Sequence, residues 1–154
     1  KRLLMRVVIQ RVSQASVSID EKKVASINEG LLVFLGIETQ DTKEDSEWLA
    51  NKISQLRIFS DEEGKMNKSV TEVDGEVVVV SQFTLHAKTK KGTRPSYIKA
   101  ARPEQAIPLY EQFKKDLSLA IGKQVQSGEF GADMKVSLTN DGPVTILIDT
   151  KNKE

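Results

Sequence analysis

The strongest strand pattern in the chain, residues 76–85 (EVVVVSQFTL), ends in Ser81, Gln82, Phe83 and Thr84. Two hydroxyls and an amide stand where a buried strand should stay apolar, and such a breach marks either a strand fraying into a loop or a site. Thr84 is the hydroxyl to weigh as a nucleophile, but it needs a base to take its proton, and SQFTL supplies none. His86 lies two residues on and, along an extended strand, shares the face of Thr84. An adjacent side chain on the same face seldom has triad geometry, so His86 is the lesser candidate for that base.

A second break is Asn140-Asp141-Gly142-Pro143-Val144-Thr145, set between two good strand patterns. Asp-Gly alone announces a type I′ hairpin, yet Pro143 cannot donate to a ladder at the start of the next strand. A Gly-Pro bond can be cis; the ordinary alternative is a trans turn on a sheet edge.

The rest of the composition narrows the chemistry. With no cysteine there are no disulfides, thiolate nucleophiles or thiolate zinc sites, which suits a reducing cytoplasm. With one histidine, neither a His-based metal site nor a pair of imidazole acid/base groups can be assembled within one chain. No metal is expected, and the lack of a P-loop or dinucleotide fingerprint argues against a cofactor. Hydrolysis must then run on hydroxyls, carboxylates, backbone amides or the substrate itself. The formal net charge is only +1, but Lys88, Lys90, Lys91, Arg94, Lys99 and Arg102 follow one another with no acid among them. Such a stretch can hold phosphates on a nearly neutral protein; otherwise it is a solvated loop.

The elements that must position these residues form one domain, since 154 residues close one sizeable core. Residues 5–12 and 15–19, a turn at 20–23 and residues 24–27 read as a strand meander. Residues 31–37 (LLVFLGI) are a continuous apolar run suited to a strand buried on both faces. Asp41 or Thr42 caps a helix whose Trp48, Leu49, Ile53 and Leu56 recur at helical spacing. Residues 59–66 (FSDEEGKM) read as a surface turn.

Pro103 opens a second helix with Ala106, Leu109, Tyr110, Phe113, Leu117 and Ile121 as its buried stripe; Pro108 either kinks it or delays its start. Residues 123–126 add a short strand, and 134–138 and 144–148 two more. Without regular βαβ alternation the fold class is α+β, a single domain whose mostly antiparallel or mixed, barrel-like sheet is covered by two main helices. Residues 5–149 form the domain. Residues 1–4 are an expression remnant or a slightly longer native terminus, and 150–154 a frayed tail. No apolar run is long enough to cross a bilayer as a helix.

Taken together, SQFTL and NDGPVT at this order and separation resemble the two signature motifs of the D-aminoacyl-tRNA deacylase (D-tyrosyl-tRNA(Tyr) deacylase) family. Arg94-Pro95-Ser96 within TKKGTRPS, the early IQRV, and FGADM fit the same family, and the likeness spans residues 5 to about 149. It implies a carboxylic ester hydrolase acting on D-aminoacyl-tRNA and on mischarged Gly-tRNA(Ala). It also implies a homodimer with active sites at the interface, where Gly142 and cis-Pro143 of one subunit enter the pocket of the other. Backbone carbonyls of that element then leave no room for an L side chain, and glycine, having none, escapes exclusion. Arg11 braces the Gly-Pro loop and Asn140 belongs to it.

For ester cleavage, the resemblance favours assistance by the 2′-hydroxyl of the terminal ribose, with amides around Phe83 and Thr84 stabilising the oxyanion. Ser81 and Gln82 orient the ribose or the water, Phe83 contributes to the pocket for the 3′-terminal adenosine, and Met134 lines it. Lys88, Lys90, Lys91 and Arg94 meet tRNA phosphates. Two rivals remain: a non-enzymatic nucleic-acid-binding protein, because some eukaryotic relatives are associated with DNA origins, and a dimeric metabolite-binding domain.

Overall fold

The computed structural model describes residues 5–152; the expected extension at 1–4 and the last two residues lie outside them. The first element is one long strand, β1 (Met5–Ile19), where the sequence suggests two. It stays continuous because it always has a neighbour. Its first half lies between β3 (Gly30–Ile37) and β8 (Lys135–Asp149), its second between β2 (Lys22–Ile27) and β8. Met5, Val7 and Ile9 point to one apolar cluster, but Val12, Ala15 and Val17 to another. Side chains alternate strictly along a strand, so the step from Val12 to Ala15 requires an irregularity, and the β1–β8 register shifts there.

The sheet runs β2-β1-β3-β6-β7, with β6 (Glu76–Ser81) and β7 (Gln126–Ser127) joined in parallel and β3 parallel to β6. The mixed sheet follows from the crossover between β3 and β6, which carries α1 (Lys43–Gln55) and a small hairpin. In that hairpin, β4 (Phe59–Ser60) pairs with β5 (Met66–Lys68), and the expected surface turn is its exposed tip at residues 61–65. Phe59 is 1% exposed, so its burial anchors a segment whose centre is polar.

The free edges of β2 and β7 approach each other and nearly close the sheet into a barrel. Gln126 bridges them: its Nε2 donates to the Ser26 carbonyl and its Oε1 accepts from the Ser26 N–H, each at 2.8 Å. One side-chain amide thus imitates a ladder pair between two strands that are not themselves paired.

Inside the barrel sit Val12, Val17, Ile27, Leu32, Val78 and Val80. Outside, Leu31, Val33, Leu35, Val77 and Val79 meet the helices. β3 and β6 are therefore buried on both faces, which is why their sequences are continuous apolar runs. Helix α1 starts at Thr42, whose N–H donates to Asp45, as a capping box does; Asp41 instead accepts from the Glu38 N–H at 2.6 Å. Helix α2 (Pro103–Ile121) begins at Pro103 without delay, contains Pro108, and ends at Gly122 in the left-handed conformation. Its Tyr110, Phe113 and Leu117 are fully buried against the sheet and α1.

Candidate active site

The valine strand stops pairing with β3 at Ser81, short of the expected end at Leu85. The Gln82 N–H still donates to the Leu35 carbonyl at 2.7 Å, and the chain then tightens into a 3₁₀ turn, Phe83–His86. Within it the Leu85 N–H reaches the Gln82 carbonyl and the Ala87 N–H the Thr84 carbonyl. The N–H groups of Phe83 and Thr84, at the start of the turn, take no part in those bonds. The Gln82 amide folds over the turn, Nε2 donating to Thr84 Oγ1 at 2.6 Å.

The turn removes His86 from the chemistry of Thr84. Residues two apart in a 3₁₀ helix lie about 240° apart around its axis, not on one face as in a strand. His86 is 4% exposed, hydrogen-bonded to the backbone of Gly36, and its Nε2 has no partner. Burial, reinforced by the nearby Arg6 guanidinium, lowers its pKa and keeps it neutral. A Cβ at Gly36 would stand 3.1 Å from the His86 ring and 3.0 Å from the Gln82 carbonyl, so glycine permits the turn to lie this close to β3.

Beside the turn opens a cavity of about 250 Å³ lined by Ser81, Gln82, Phe83, Phe130, Ala132 and Met134, with apolar residues of β3 and α2 behind them. Three of the four residues singled out in SQFTL and the methionine of FGADM thus meet at one wall, whereas Thr84 is not part of the lining. FGADM supplies Phe130, Gly131 and Ala132 to the lining besides Met134, three residues that the sequence pattern does not single out. Phe83 is 54% exposed and meets Tyr97 edge to face at 5.0 Å. Tyr97, the exposed aromatic beside Arg94-Pro95-Ser96, touches Phe83 but lies outside the cavity lining.

The second break lies elsewhere. β8 pairs with β1 along residues 145–149 and again along 135–140, and between these stretches residues 141–144 bulge out opposite Arg11. No hairpin forms, because both flanks run in one direction along the same partner. The Gly142-Pro143 peptide is cis, Gly142 has φ 131°, and both residues are exposed and outside the cavity lining of their own chain.

Two side chains fix the bulge. Asn140 Oδ1 accepts from the Val144 N–H and its Nδ2 donates to Thr145 Oγ1, both at 3.0 Å. Arg11 donates from Nε to the Asp141 carbonyl at 3.0 Å and from Nη1 to the Ile58 carbonyl at 2.8 Å. A Cβ on Gly142 would approach Arg11 Nη2 to 2.9 Å.

The basic stretch forms a loop closed by mutual backbone hydrogen bonds between Lys88 and Ser96. Lys88, Lys90, Lys91 and Arg94 are exposed and, with Ser96, line an open cleft of about 300 Å³. Among the described residues there is no cluster of three or more metal-ligating side chains and no helix long and apolar enough to cross a membrane.

Residues 8–149 match the family model described as D-Tyr-tRNA(Tyr) deacylase. The D-aminoacyl-tRNA deacylase of Bacteroides fragilis (strain YCH46) is 67% identical over 97% of this chain and the whole of that protein. That of Flavobacterium johnsoniae is 63% identical over the same shares. Among solved structures, one described as c-Myc DNA Unwinding Element Binding Protein superposes with a TM-score of 0.89 at 40% identity, covering 94% of this chain and 97% of the other. A probable eukaryotic D-amino acid tRNA deacylase shares the fold with a TM-score of 0.84 at 19% identity, over 96% of this chain and all of the other. A full-length family match and relatives above 60% identity establish that this chain belongs to the D-Tyr-tRNA(Tyr) deacylase family.

Proposed function

We propose that this protein is a chiral proofreading hydrolase of the cytoplasm that cleaves D-aminoacyl-tRNA, and glycine mischarged on tRNA(Ala), to free amino acid and tRNA. The observation that carries this reading is the cavity beside the 3₁₀ turn, where Ser81, Gln82, Phe83 and Met134 converge in a chain whose near relatives are D-aminoacyl-tRNA deacylases.

In this reading the aminoacyl ester of the 3′-terminal adenosine enters the cavity. Water, assisted by the ribose 2′-hydroxyl, attacks the carbonyl carbon, and the N–H groups of Phe83 and Thr84 receive the oxyanion. The bond to the ribose 3′-oxygen then breaks, and that oxygen takes a proton. Ser81 and Gln82 orient the ribose and water, Phe83 packs on the adenosine, and Lys88, Lys90, Lys91 and Arg94 hold phosphates.

Selection belongs to Gly142 and Pro143, steadied by Arg11 and Asn140. Because these residues lie outside the cavity of their own chain, the reading requires a second copy to supply them, and the working form is a homodimer with shared sites. The open outer edge of β8, with Leu147 68% exposed, supports such a partner.

The deciding measurement is the hydrolysis of D-Tyr-tRNA against L-Tyr-tRNA under identical conditions. A D preference of at least about a hundredfold is expected from steric exclusion of a side chain; equal rates would refute the proposal. The name of the c-Myc-related structure favours one rival, a nucleic-acid-binding role without catalysis. That rival predicts no hydrolysis of either substrate.

A further inference from the structure

Arg6 occupies a junction that the site motifs do not include. On β1 it lies opposite Gly36 of β3 on one side and Asp149 of β8 on the other. Its Nη1 donates to the Leu85 carbonyl at 2.7 Å, while Nε and Nη2 face Asp149 Oδ2 at 3.4 and 3.2 Å. The side chain is two-thirds covered and Asp149 more so. A planar guanidinium held by a carboxylate along one edge has its remaining N–H groups fixed in direction, and here one meets the 3₁₀ turn from below.

The turn is otherwise attached to β3 by the Gln82 N–H at its start and by His86, packed against Gly36, at its end. A four-residue 3₁₀ turn holds its geometry weakly by itself, since its i→i+3 hydrogen bonds are poorer in geometry than those of an α-helix. Arg6 supplies the charge-assisted bond to the turn, and it reaches the carbonyl of Leu85, the residue directly after Thr84.

We infer that Arg6, aligned by Asp149, is a positioning residue for the hydrolytic reaction: it fixes the Phe83–His86 turn and thereby the direction of the Phe83 and Thr84 amides. This rests on reading residues 81–84 as the hydrolytic site. Arg6 does not line the cavity, so its effect belongs in turnover and not in substrate binding.

The test compares Arg6→Ala, Arg6→Lys, Asp149→Asn and, as a control on the site itself, Gln82→Ala, using D-Tyr-tRNA and the full chain. Loss of fixed geometry without loss of contact predicts that Arg6→Ala lowers kcat by about tenfold to a hundredfold with KM within about threefold. Guanidinium ion at millimolar concentration should restore part of that loss in Arg6→Ala and none in Gln82→Ala. Amide exchange at Leu85 and Ala87 should quicken in Arg6→Ala. Where Arg6→Ala fails to fold, Arg6→Lys and Asp149→Asn carry the test: a lysine cannot serve both partners in one plane, so kcat should fall while thermal unfolding stays near that of the parent.

A collapse of turnover in Gln82→Ala with unchanged kcat in the Arg6 and Asp149 variants would overturn the positioning role and leave the site reading intact. A change confined to KM would overturn it as well. Unchanged turnover in Gln82→Ala and in the Arg6 variants together would remove the site reading and this inference with it.

Discussion

Gln82 and Thr84 are joined by a 2.6 Å hydrogen bond in which the glutamine amide donates to the threonine hydroxyl, while His86, the one imidazole nearby, faces β3. A hydroxyl whose lone pair receives an N–H, with no base taking its proton, is poorly prepared to attack an ester. Thr84→Ala should therefore keep turnover of D-aminoacyl-tRNA within about tenfold of the parent, whereas a 3′-terminal 2′-deoxyadenosine should lower it by about two orders of magnitude or more. Single-turnover rates on both substrates decide the matter; the opposite pattern would make Thr84 the nucleophile.

The loop closed by Lys88 and Ser96 exposes four cations without an acid among them. Each lysine that neutralises a phosphate releases a counterion, so the dependence of affinity on salt counts contacts. The double variant Lys90→Ala/Lys91→Ala should weaken tRNA binding and flatten the slope of log affinity against log salt by about 1.4, two single-strand contacts at about 0.7 each. Binding titrations at several salt concentrations test this, and an unaltered slope assigns the loop to solvent.

Gly142 combines φ 131° with a space where a Cβ would come within 2.9 Å of Arg11 Nη2 and of Val144 Cγ2. Gly142→Ala must distort the bulge, at a cost of about 1–3 kcal/mol for a backbone conformation that side chains disfavour. Because Arg11 braces this loop, the displaced carbonyls should reduce the ratio of D to L hydrolysis more than the D rate itself. Rates on paired D and L substrates, together with a thermal melt, measure both effects; an intact ratio would separate the loop from stereoselection.

Asp41 is 5% exposed, and burial, with the nearby charges of Asp45, Glu38 and Asp149, pushes its carboxyl up to about 8 despite its bond from the Glu38 N–H. The folded chain holds this proton from the ordinary carboxylate value of 3.8 up to about 8 and the unfolded chain does not, so the contribution to stability declines as pH rises through that window. His86 works in the other direction: its lowered pKa costs stability as pH falls below 6.5. Asp41→Asn keeps an acceptor for the Glu38 N–H without the charge. It should gain at least about 1 kcal/mol over the parent at pH 8, with little difference near pH 4, a single pKa unit being worth about 1.4 kcal/mol. Urea unfolding at pH 4, 6 and 8 would show this, and parallel stability curves would contradict it.

Much of the fold was legible because neighbours in sequence encode it. The runs at 31–37 and 76–80 are apolar on both faces and became the central parallel pair, and the stripe from Ala106 to Ile121 became the buried side of α2. The break at SQFTL marked the wall of the cavity, and the break at NDGPVT marked the bulge. Less was legible where a local pattern allows two outcomes. Phe83–His86 continues a strand pattern in period, yet the pairing of β6 with β3 ends at Ser81 opposite Leu35, although β3 runs on to Ile37, and the backbone turns instead.

The sequence by itself determined which residues are apolar at which period, where glycine and proline interrupt them, and which hydroxyls, amides and cations remain for chemistry. Only the tertiary structure decided that β1 shifts register at Arg11, that Gln126 closes the barrel on Ser26, that His86 is sealed against Gly36, and that Arg6 meets Leu85 and Asp149, 79 and 143 residues away. Periodicity is a property of adjacent residues and their backbone geometry. Partnership between distant residues depends on ladder register and chain closure, which no local window contains.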